Sequence, residues 1–200
     1  MGPPPLDPVD LAVVPGPSAA GSRAGGAPPV CLEARHDLLA GHRYLLTLSP
    51  RDVPWLGEQE CSVFVRCGFS VWVDDVDYPD IGLTAVLHPP SPRGTAASAA
   101  LPGLAECRLV VAGSVAARPP ASVASPLVRA GGEADLVRQL PLDALPVVQD
   151  GWTYLFEVDD DGWPEGSCGD LPFSTGAVYF FGEVGDDGVV TRVLPGVVQF

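Results

Sequence analysis

Two hundred residues carry 25 acidic against 11 basic side chains, for a net charge of −14. A field of that sign repels phosphate backbones and anionic membranes, so neither nucleic acid nor a membrane surface is expected as a partner, while a basic protein surface stays open. The chain contains no lysine, which closes Schiff-base catalysis, pyridoxal-type attachment and the lysine of a phosphate-binding loop.

No apolar run approaches the ~20 residues of a membrane helix, and the N-terminus lacks a basic-then-apolar signal, so a cytoplasmic protein is expected. Gly and Pro number 23 each, a frequency of turns that favours many short strands over long helices. The five cysteines form no C-x-x-C pair, against a disulfide framework and against a zinc ribbon. Cys61 and Cys67 flank a strand-like run and are expected as small core side chains.

In chain order, residues 1–29 are rich in Pro, Gly and Ala and show no period that supports a packed face. They are expected to be a flexible arm, with residues 30–200 forming a single globular domain. Val30 to Ala40 reads as a short helix stopped by Gly41. Tyr44 to Leu48 and Cys61 to Arg66 read as strands. Phe69 to Val73 alternates likewise beyond Gly68, so that with Cys61 to Arg66 it reads as one bent strand or a tight pair. Gly82 to His88 and Arg108 to Ala112 continue the series, and Glu133 to Gln139 suggests a second helix. Trp152 to Val158 and Ala177 to Glu183 carry the strongest strand signals, and Asp186-Asp187-Gly188 turns the chain into Val189 to Leu194. The sum predicts an α+β class, mainly β, with mixed or antiparallel sheets and few short helices.

The third of the chain from Leu127 to Phe181 resembles the YwqG-like family, bacterial proteins grouped under a domain of unknown function. The resemblance rests on Arg129, Gly131, Gly132 and Glu133, then the apolar pair Leu136 and Val137. It continues through Phe156-Glu157-Val158-Asp159 and Asp161-Gly162-Trp163-Pro164 to Gly176, Val178, Tyr179, Phe180 and Phe181. Ala134 stands where the family tends to have proline, and Arg138 where it has glutamine. The resemblance implies an α+β fold with no established activity, and some relatives sit near toxin–immunity gene clusters.

The acidic run Glu157, Asp159, Asp160, Asp161 and Gly162 has the alternation of a calcium loop, yet Cys168 falls where the bidentate Glu belongs and a strand precedes it. A solvated turn accounts for it better, and no metal or cofactor is expected. Arg129 followed by Gly131-Gly132 offers backbone N–H groups to an anion, though a turn explains the glycines better. Trp163, in the acidic turn, is the expected contact residue. Asp74, Asp75, Asp77 and Asp80 form a second acidic group; facing the first, they would suit general acid–base work. His36, His42 and His88 match no zinc spacing, and no G-x-S-x-G elbow is present. The expected function is a non-catalytic module, of immunity type, binding a basic protein through Glu157, Asp159, Asp161, Trp163, Arg129, Gly131 and Gly132. The alternative is a carboxylate- or divalent-metal-dependent, hydrolase-like enzyme.

Overall fold

Side chains that alternate between apolar and polar can bury only one face of an extended backbone, so strands of this kind gather around a shared interior. The computed structural model describes residues 5–18, 21–74, 76, 78–113, 125–132, 146–166, 173–174 and 176–199. Among these, the strands are β1 (Val9–Pro15), β2 (Arg23–Ala24), β3 (His42–Leu48), β4 (Glu60–Arg66), β5 (Leu83–His88), β6 (Cys107–Gly113), β7 (Val128–Ala130), β8 (Thr153–Asp159), β9 (Ala177–Val184) and β10 (Val190–Gln199). They form one sheet in the order β10-β9-β8-β7-β1-β6-β2-β3-β4-β5, with every ladder antiparallel. The two end strands, β5 and β10, lie against each other, so the sheet curls into a nearly closed barrel. Curling hides the edges that an open sheet would expose. The mainly β, antiparallel class expected from the sequence is the class observed.

The barrel interior is filled from all sides by Leu11, Ala24, Leu46, Val63, Leu109, Val128, Phe156 and Phe180, among others. Phe156 and Phe180 stack with centroids 4.4 Å apart and planes 9° from parallel. Burying each ring contributes roughly 1.5–3 kcal/mol, and the stack adds about 1 kcal/mol. Bulges between Tyr44 and Leu46 and between Tyr154 and Phe156 re-aim the chain where the sheet bends.

The outer face carries two further clusters. Leu32 and Leu38 cover Tyr44 and Phe64 over β3 and β4. Val147, in a helical turn at 146–149, covers Phe181, Tyr179 and Val197 over β9 and β10. The helix expected over Val30 to Ala40 is divided, into a 3-10 turn at Val30–Leu32 and the α-helix α1 (His36–Gly41). Between them the Glu33 carboxylate accepts the N–H groups of Thr95 and, at 2.7 Å, Ala96, which ties the break to a distant loop. The helix expected at Glu133 to Gln139 lies outside the described residues.

Two expectations need correcting. The segment 1–29, expected as a flexible arm, supplies β1, which lies between β6 and β7 near the middle of the sheet, and β2, between β3 and β6. Its prolines do not prevent this: Pro8 precedes β1, and Pro15 is its last residue, where no further ladder N–H is required. Leu11 is fully buried between them. Phe69 to Val73, expected as a strand, is instead a turn in which Val73 and Asp74 both donate backbone N–H groups to Ser70 O. Gly68, at φ +74°, takes the chain out of extended geometry just before it.

Candidate functional site

On the outer face, strand register lines up a row of polar side chains that the linear sequence keeps far apart. Asp10 of β1 is the Cα partner of Arg129 of β7, Arg129 that of Glu157 of β8, and Glu157 that of Tyr179 of β9. The Arg129 guanidinium bonds the Glu157 carboxylate and reaches Asp159 Oδ2 at 3.3 Å. Three of the predicted site residues, Arg129, Glu157 and Asp159, therefore meet in one half-buried ion-pair cluster. Its worth lies between the surface and buried limits, about 2 kcal/mol. Tyr154 extends it by donating its hydroxyl to Arg129 O at 3.2 Å, and burial raises the phenol's pKa well above 10. Asp10 is nearly buried and its Oδ1 has no hydrogen-bond partner. Burial pushes its carboxyl pKa up, with Arg129 pulling the other way more weakly.

The rest of the acidic run does other work. Asp160 points inward and takes N–H groups from Trp163 Nε1 at 3.1 Å and Phe173 at 2.7 Å. Asp161 is exposed and donates its backbone N–H to Asp159 Oδ1 at 3.0 Å. Trp163, expected as an exposed contact residue, is only 8 % exposed and belongs to the barrel core. The close approach of Gly162 to Leu127, whose Cα a β-carbon would meet at 2.3 Å, draws the turn in and carries the indole with it. Gly131 and Gly132 both adopt φ +73°, and their N–H groups donate to Leu155 O and Leu6 O. Those donors are engaged by backbone carbonyls, so the pair makes a turn and not an anion cradle.

The second acidic group is split by its surroundings. Asp75 and Asp77 lie outside the described residues, and Asp80 is exposed. Asp74 takes the Ser70 N–H at 2.7 Å and Arg66 Nη2 at 2.7 Å, and these two bonds, the backbone one chiefly, hold its carboxyl below the usual carboxylate range. The loop they pin, between β4 and β5, presents Trp72 at 71 % exposure and Val73 at 85 %. Trp72 Nε1 donates to Ser174 Oγ at 3.1 Å, which orients the ring of this largely exposed residue. Farther along, Tyr78 donates to Asp150 Oδ2 at 2.8 Å and accepts from Trp152 Nε1 at 3.0 Å. Arg192 lies over the Trp152 ring, 4.7 Å from its centroid. Both ends of this loop are thus fastened and its apolar tip is held out.

Sequence reasoning missed Trp72 because FSVWV has the alternation of a half-buried strand; only the bonds from Ser70 and Arg66 to Asp74 reveal a turn.

Among the described residues one cysteine meets a histidine: Cys31 Sγ lies 3.3 Å from His88 Nδ1. His88 Nδ1 lies 2.8 Å from Pro89 O and Nε2 2.8 Å from Ser62 Oγ. With Nδ1 donating to the carbonyl, Nε2 accepts from the serine, and the ring is a structural link. Cys61 is in the core, where burial pushes its thiol up to about 12, whereas Cys67, expected inside, is exposed. Among the described residues no group of three His, Cys, Asp or Glu side chains is arranged to hold a metal ion, and no helix is long and apolar enough to cross a membrane. Comparisons with protein-family models, with curated proteins and with solved structures found no match for this chain.

Proposed function

We propose that this protein is a non-catalytic cytoplasmic module that binds a basic protein partner through the loop between β4 and β5. The observation that carries this reading is the outward presentation of Trp72 and Val73 on a turn pinned by the Arg66–Asp74 pair. An exposed tryptophan with a β-branched neighbour loses water readily and little conformational entropy on binding, because the loop is already in place. The exposed Asp80 on the same loop, within a chain of net charge −14, steers a cationic surface towards that anchor. An immunity-type role fits these features, with a basic toxin as the partner. The Glu157 and Asp159 carboxylates are engaged by Arg129, which disfavours the hydrolase-like alternative as well as docking by the 157–163 run.

Chemical crosslinking in the native cells, read by mass spectrometry, tests the proposal. Residues flanking Trp72 should crosslink to one basic protein, and purified samples of the two should associate more weakly as salt rises. Trp72→Ser/Val73→Ser should weaken that association at least tenfold without lowering Tm, whereas Asp161→Ala should leave it unchanged. Equal binding by the Trp72/Val73 variant would refute the assignment.

A further inference from the structure

At the opposite end of β4 and β5 from that loop, the chain builds a cavity of a different character. It has a volume of about 310 Å³ and is lined by Arg23, Arg51, Arg93, Glu60, Ser49 and Ser91, among others. Arg93 is paired with Glu106 at 3.0 Å, so Arg23 and Arg51 against Glu60 leave the lining net positive, in a chain of net charge −14. We propose that this cavity binds a small organic oxyanion, a phosphomonoester or carboxylate, that carries a hydroxyl or amine beside its charge. Arg23 and Arg51 receive the anion, and Glu60 receives the neighbouring donor.

Arg23 is the decisive residue. It sits on β2, between β3 and β6, with Thr47 and Arg108 as its cross-strand partners, and is 4 % exposed. Its Nε is buried without a hydrogen-bond partner, and Nη2 makes only a long contact, 3.5 Å, to Ser91 O. A guanidinium cannot discard its proton when buried, so the unpartnered Nε and the weakly held Nη2 leave a positive charge that an acceptor in the cavity would meet. The wall behind it is rigid. Tyr44, Thr47, Ser62 and His88 form an unbroken buried chain of hydrogen bonds of 2.7–2.8 Å. Cross-strand pairing places Thr47 beside both Arg23 and Ser62.

The remaining groups define the ligand. Ser91 Oγ accepts the Cys31 N–H at 3.1 Å and Ser49 Oγ the Arg51 N–H at 3.4 Å, which leaves each hydroxyl proton to donate to an oxyanion. Glu60 is 5 % exposed, and its Oε2 already takes the Ser91 N–H at 3.2 Å. A buried carboxylate beside Arg23 and Arg51 repels a bare anion and favours one with a hydrogen-bond donor next to its charge. The volume, at the small end of the ~300–1,000 Å³ of ligand sites, fits a molecule of a few carbons. The overall negative field keeps phosphodiester polymers away.

Isothermal titration calorimetry of the full chain with sn-glycerol 3-phosphate, glycerate and inorganic phosphate tests the assignment. At least one of the two hydroxylated probes should bind saturably; the tighter one identifies the phosphoryl or the carboxylate source. Inorganic phosphate should bind at least tenfold more weakly than that probe. Arg51→Ala, a change at an exposed side chain that leaves the fold intact, should weaken the probe at least tenfold. Glu60→Gln should narrow the gap to inorganic phosphate. No saturable binding of either hydroxylated probe up to about 10 mM, beyond the weak end of ordinary ligand affinity, would overturn the proposal. Affinity unchanged in Arg51→Ala, or inorganic phosphate binding as tightly as the best probe, would do the same.

Discussion

One guanidinium, that of Arg129, faces the carboxylates of Glu157 and Asp159 directly and that of Asp10 across the β1–β7 ladder. Asp10 is the acid left over, buried and with an unpartnered oxygen. Its folded pKa lies above the ordinary 3.8. The folded state therefore holds this proton more tightly than the unfolded chain does, and stability falls as pH rises from 3.8 through the folded pKa. Asp10→Asn removes that penalty, so the variant should melt above wild type near neutral pH. Its advantage should vanish well below pH 3.8, where Asp10 is protonated in both states. Thermal melts of the two proteins across that range give the answer; an advantage independent of pH would mean that charge burial is not the cause. Sequence alone singled out Arg129, Glu157 and Asp159, because charged residues beside strand signals are legible. It gave no reason to join Asp10 to them, since the partnership depends on a register between strands more than a hundred residues apart.

Turns decide how the elements meet. Gly131 holds φ +73°, and a β-carbon there would come within 2.3 Å of Asp7 O. Gly151 has a similar φ of +87° but open space around it. Gly151→Ala should therefore cost only the left-handed backbone penalty of about 1 kcal/mol. Gly131→Ala should cost several times more, roughly 3 kcal/mol or above, because backbone must move as well. Urea denaturation of both variants compares them directly. Phe156-Glu157-Val158 and the aromatic run of β9 were readable as strands because their side chains alternate between the barrel and the outer face. Phe69 to Val73 has the same alternation and is a turn, because Ser70, Arg66 and Asp74 bond one another locally. The described motif residues that carry the resemblance have structural tasks here: Gly131 and Gly132 in a tight turn, Phe156, Trp163 and Phe180 in the barrel, Tyr179 and Phe181 in the outer cluster, Arg129 in an ion pair. Such residues carry information about fold and little about chemistry.

For the whole molecule, β1 is the keystone. On one side stand β7 to β10, on the other β6 and β2 to β5, and among the described residues β1 is the strand whose ladders join the two halves, while β5 and β10 meet at the far side. Deleting residues 1–15 should abolish cooperative unfolding, as seen by circular dichroism and calorimetry, whereas a true arm would be lost without effect. The sequence by itself determined the antiparallel β character, the acidity and the exclusion of lysine-based chemistry, because alternation, turn residues and composition act locally or additively. Only the tertiary structure decided that the proline-rich start is a central strand, that Trp163 is inside and Trp72 outside, and that three arginines from separate strand ends share one cavity. The reason is physical: burial and pairing are properties of what a segment packs against, and in an antiparallel barrel those neighbours come from distant parts of the chain.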